Sequence, residues 1–163
     1  MVCALAAAAA CRAAPALAGT HPSATLLAAA VLDALQQRDG TALEGLAVSG
    51  REFRDHVWPA LPAARPERNL PVDYVWNDLH QKSAHTLGGL LVRHGGRRYA
   101  LIGVDFDGVT DYGSFRVHRQ ATLRVRDASG AARTLRVCGS MLEKDGSWKV
   151  FSFVVDDDGA ADS

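Results

Sequence analysis

Between residues 97 and 157 apolar and polar positions alternate in four runs, 97–107, 114–126, 133–143 and 147–156. Alternation of period two marks a strand whose two faces meet different surroundings. The links are short: Gly108 to Gly113, Asp127 to Gly130, and Lys144-Asp145-Gly146-Ser147. Asp-Gly between alternating hydrophobics is a strong hairpin signal, because both central residues of a type I′ turn need positive φ. Short links make consecutive strands antiparallel neighbours, so the pattern predicts a four-stranded meander. A turn centred on Asp145-Gly146 sets Glu143 opposite Trp148, Met141 opposite Val150 and Val137 opposite Val154. One face then carries Leu135, Val137, Met141, Trp148, Val150 and Val154, joined by Phe115, Val117, Ala121, Leu123 and Val125. The other carries Arg116, His118, Thr122, Arg124, Arg126, Arg136, Ser140 and Lys149, together with Phe151, Phe153 and Val155. A last strand apolar on both sides calls for cover on both, from this chain or from a second copy.

Ahead of the meander the period changes to that of a helix. Ser23 is a good N-cap for Leu26, Leu27, Ala30, Val31, Ala34 and Leu35, which predicts a helix over 23–38. A short helix follows from Thr41. Ser49 with Glu52 reads as a capping box for another over 50–57. Four of the six prolines, Pro59, Pro62, Pro66 and Pro71, lie in a stiff connector. Beyond it, with Asn69 as its cap, Val72, Val75, Trp76, Leu79, Ser83, Leu87, Leu90 and Leu91 share one helical face to about residue 94. That helix is expected to cover the apolar sheet face. At its end, Gly88-Gly89 and Gly95-Gly96 leave a second reading open, a strand over 90–94 and a hairpin into 97–101.

The chain has 163 residues, and 18 basic residues balance 18 acidic ones. A neutral balance excludes a general nucleic-acid binder, which needs surplus cations for phosphates. Residues 1–18 are nearly all small and apolar. They read as an export signal cleaved after Ala18, or as a lipoprotein signal ending at Cys11, which would tether the chain to a membrane; an alanine-rich helix is the third reading. On the first, the folded domain is 19–163, exported to the periplasm or beyond. It keeps a single cysteine, Cys138, buried as a small apolar residue.

The element order, helices first and then a curved meander ending in Asp145-Gly146-Ser147-Trp148-Lys149-Val150, resembles the nuclear-transport-factor-two-like superfamily, the cone-shaped cystatin-like α+β fold. Many members place a turn and a tryptophan before their last strand. The resemblance implies helices packed on a curved sheet. It also implies either a reaction of the isomerase or hydratase type inside the cone, or ligand binding or dimerisation without chemistry.

In an enzyme of this class the acid–base residues would lie on the covered face of the sheet. Arg119 falls in the inward row, where a guanidinium needs a partner, with Asp105 or Asp107 the nearest acids. An enzyme would use Asp105 or His80 as base, and Arg119 or Tyr99 to hold an oxyanion. Trp58, Trp76, Trp148 and Tyr99 are able to line an apolar pocket or simply fill a core. Phe151, Phe153 and Val155 form the candidate dimer face. The histidines have no metal-ligand spacing, and no cofactor motif occurs. The expectation is an exported, non-catalytic domain of the cone fold, dimerising through the outer sheet face and taking a small apolar ligand or a partner. The alternative is the small enzyme.

Overall fold

The computed structural model describes residues 17–155. It is an α+β arrangement, four α-helices followed by seven antiparallel strands in two sheets. The expected signal over 1–18 therefore lies outside the described residues except for Leu17 and Ala18.

The helices follow the pattern closely. α1 spans Ala24–Gln37, and the Ser23 hydroxyl accepts from the Leu26 N–H. α2, Gly40–Leu46, is capped by Asp39. α3, Gly50–Glu52, starts with the expected Ser49–Glu52 capping box and runs into a π-helical turn, Phe53–Val57. The proline-rich connector forms three 3-10 turns. Asn69 does not cap the long helix. It takes a left-handed conformation (φ 45°) that ends the last of these turns, and α4 begins at Val72 behind an extended Pro71. α4 continues to His94, so 90–94 is helix and the hairpin reading of that stretch is set aside.

The strand runs are subdivided, which corrects the four-strand expectation. The strands are β1 Ala100–Asp105, β2 Gly108–Asp111, β3 Arg116–Arg119, β4 Thr122–Arg126, β5 Ala132–Leu135, β6 Cys138–Lys144 and β7 Ser147–Phe153. One sheet has the order β1-β4-β5 and the other β2-β3-β6-β7. Gly108–Asp111, read as a connection, pairs along its length with β3. The Asp145-Gly146 turn has positive φ at both residues (51° and 75°), and the register Glu143–Trp148 and Met141–Val150 is as the turn requires.

Breaking the runs changes which residues share a face. Gln120 sits between β3 and β4 with φ 52°, a left-handed residue that interrupts the alternation. Leu123 and Val125 join Met141 and Val150 in one core, while Phe115 and Val117 join Leu142, Phe53 and Val57 in another. The first core is covered mainly by α1, whose Leu27, Ala28, Val31 and Leu35 are wholly buried, with help from Leu87 and Leu90 of α4. The long helix, expected to cover that face, supplies only part of its cover. The second core lies against α3, the π-helical turn and the start of α4, through Val72, Val75 and Trp76. β7 therefore has cover on both sides from its own chain. Its outer edge is also occupied. His21 and Trp148 exchange two backbone hydrogen bonds (3.0 and 2.8 Å), and the Val48 N–H donates to Val150 (2.9 Å). Pairing of this kind removes an exposed strand edge.

Candidate functional site

Between α4 and the α2–α3 junction, above β6 and β7, lies a cavity of about 490 Å³. A volume of this size suits a small organic ligand. One wall is a face of α4, where Trp76, Leu79, His80, Ser83 and Leu87 recur at the three- and four-residue spacing that lines up side chains on a helix. The opposite wall is Ala47, Val48, Gly50 and Phe53, and the floor is Ser140, Phe151, Ser152 and Phe153. Gly50 is required there: a Cβ at that position would lie 2.8 Å from the Trp76 indole nitrogen. Its absence lets the ring rest on the backbone, tilted against Phe53 (centroids 5.3 Å apart) and stacked on His80 (5.7 Å).

The floor owes its shape to an irregularity in the β6–β7 ladder, which slips in register on either side of Ser140. The slip places the Ser140 and Ser152 hydroxyls 3.1 Å apart, in hydrogen-bond contact. The charged residues of the lining, Glu44 and Lys82, are exposed, as is His80. Lys82 is engaged by Asp78 at 2.7 Å.

Beside the cavity wall a buried ion pair ties the N-terminal half to the sheet. Lys149 Nζ lies 2.9 and 3.1 Å from the Glu52 carboxylate oxygens, with the two residues 3% and 7% exposed. The carboxylate also accepts from the backbone N–H groups of Ser49 (2.8 Å) and Ala18 (2.7 Å). Burial alone would raise the Glu52 pKa. The Lys149 ammonium and the two N–H donors outweigh it, so the carboxyl titrates below its ordinary range. Sequence alternation places Lys149 on the sheet face away from Met141 and Val150. The capping box at Ser49–Glu52 was visible, but nothing in the spacing showed that its carboxylate meets a lysine 97 residues away.

The candidate residues separate. Trp76 and His80 line the cavity. Trp58 packs on Phe53 (6.1 Å) behind its wall. Trp148 belongs to the other core, against His118 (4.4 Å) and Phe106 (6.2 Å). Tyr99 bonds to His94 Nδ1 at 3.1 Å. Asp105 pairs with Arg124 at 2.6 Å on an exposed surface. Arg119 is exposed at the end of β3, its guanidinium lying over Gly108. The acid–base set Asp105, His80, Arg119 and Tyr99 thus does not assemble. Phe151 and Phe153 face the cavity, and Val155 packs on Gly89, so these three do not form an open dimer face. The outward arginines are also engaged, Arg116 with Glu143 (2.7 Å) and Arg136 with Gln120 (2.7 Å).

Among the described residues no cluster of histidine, cysteine and acidic side chains is arranged to hold a metal. No described helix is long and apolar enough to cross a membrane. In comparisons with known proteins the chain matches no family model, no curated protein and no solved structure.

Proposed function

We propose that the chain is a ligand-binding domain, exported and non-catalytic, that takes a small apolar molecule in the cavity between α4 and β6–β7, and that it belongs to the cone-shaped cystatin-like class. The observation that carries the binding reading is the cavity itself, walled by Phe53, Trp76, Leu87, Phe151 and Phe153. Apolar walls with a few converging polar groups are the usual make-up of a ligand site. The isomerase or hydratase reading has no assembled acid–base set to support it. A pairing of two copies would use a surface other than Phe151, Phe153 and Val155.

Export rests on the small, apolar stretch ahead of residue 17. Leu17 packs on the Val48–Phe53 core and the Ala18 N–H binds Glu52. These contacts favour a cut ahead of Leu17 over one after Ala18. Ala14-Pro15-Ala16 supplies small residues at the two positions that signal peptidase reads. Intact mass of the protein exported from a bacterial host tests this: a chain beginning at Leu17 supports it, and one beginning at Gly19, or uncut, opposes it. Binding is tested by titrating the chain with methyl naphthoate and following tryptophan fluorescence. Saturable quenching that disappears when Leu87→Trp fills the cavity supports the site, and quenching that survives the filled cavity opposes it.

A further inference from the structure

We infer that the cavity selects uncharged molecules bearing a hydrogen-bond acceptor, such as esters and amides on an aromatic body, over carboxylates and plain hydrocarbons; this rests on the ligand-binding reading above. The polarity of the lining is distributed in a particular way. The inner floor offers the Ser140 and Ser152 hydroxyls and no charged side chain. Each hydroxyl carries one donor hydrogen. When one serine donates to the other across 3.1 Å, the second O–H is left to point at a ligand acceptor. A carboxylate seated there would have two hydroxyls and no cation to offset its lost hydration, and an unpaired charge in an apolar site is costly. The lysine of the lining, Lys82, is exposed and already bound to Asp78. A hydrocarbon fills the same space but leaves the free hydroxyl of the pair without a partner.

The preference for an aromatic body follows from the walls. Phe53, Trp76, Phe151 and Phe153 line the cavity, and aromatic rings favour offset or edge-to-face contacts with a flat aromatic guest. Gly139 leaves the serine pair its room. A Cβ at Gly139 would sit 2.7 Å from Ser152 Oγ, so only glycine there leaves the hydroxyl its position.

The test compares three naphthalene probes of similar size by ligand-observed NMR titration: methyl naphthoate, naphthoate and ethylnaphthalene. The ester is expected to bind about fivefold tighter than the hydrocarbon, the gain typical of one hydrogen bond, with naphthoate weakest. In the Ser140→Ala/Ser152→Ala double variant the ester is expected to lose that advantage, and ethylnaphthalene to bind more tightly than in the native chain because no hydroxyl is left unpaired beside it. Equal affinity of ester and hydrocarbon in the native chain, or an ester preference that persists in the double variant, overturns the selectivity while leaving an apolar site standing. No binding of any of the three overturns the ligand-binding reading as well.

Discussion

Replacing Lys149 with methionine keeps an apolar stem of similar length and removes the ammonium. Glu52 then stays 7% exposed with the Ser49 and Ala18 N–H donors and no cation. Breaking a buried pair from one side costs about 3–5 kcal/mol, because the remaining charge has lost its partner. In a chain of this size each kcal/mol moves Tm by about 2–4 °C, so the midpoint is expected to drop by about 6–20 °C at neutral pH. The pH dependence has a definite sign. In the native chain the Glu52 carboxyl titrates below its ordinary 4.5. Its contribution is therefore complete above that value and is lost as pH falls through the lowered folded value. In the variant burial acts unopposed by the ammonium and pushes the carboxyl up, so the deficit is largest near neutrality and shrinks as Glu52 takes a proton. Guanidinium unfolding followed by circular dichroism, at about pH 7 and about pH 4, reads both quantities. Adding Glu52→Gln to the variant removes the stranded charge and keeps the cap, and is expected to recover most of the loss. A deficit under about 1 kcal/mol at neutral pH, or one that does not narrow in acid, would refute the reasoning.

Other outcomes follow from particular positions. Gly88→Ala meets no atom within 4 Å and sits inside α4, so it is expected to stabilise the chain by about 1 kcal/mol in thermal unfolding. Gly89→Ala would place a Cβ 2.9 Å from Val155 and is expected to give up that gain or reverse it. Burial pushes the Cys138 thiol up to about 12, so peptide mapping after brief alkylation of the folded chain is expected to find Cys138 unmodified, and modified once guanidinium is present. Leu35→Ala, at a wholly buried position on α1, is expected to cost about 2–5 kcal/mol in denaturant unfolding.

Much of this fold was legible in the order of residues. Ser23, the Ser49–Glu52 box and Asp145-Gly146 each act through groups a few positions away, and all three do what their local chemistry dictates. The breaks within the strand runs were not legible. Gln120 carries no mark of its left-handed conformation, and once it interrupts the alternation, Val117 and Leu123 fall in different cores. Lys149 and Glu52 were missed for a related reason, since their pairing depends on how α3 lies across β7. Of the cavity, Trp76 was legible as an apolar wall on the long helix and His80 only as a separate candidate base; their stacking shows in the fold. Ser140 and Ser152 were not legible, because a slip in the β6–β7 ladder leaves no trace in period-two alternation.

The central claim is that an apolar ligand enters between α4 and β6–β7, and the indole N–H signals of the tryptophans test it most directly. Trp76 lines the cavity, whereas Trp148 packs in the opposite core against Phe106 and His118. Titration with methyl naphthoate is expected to shift the Trp76 indole resonance saturably and leave that of Trp148 in place. A Trp76 signal that does not move, or a shift confined to Trp148, would contradict the account.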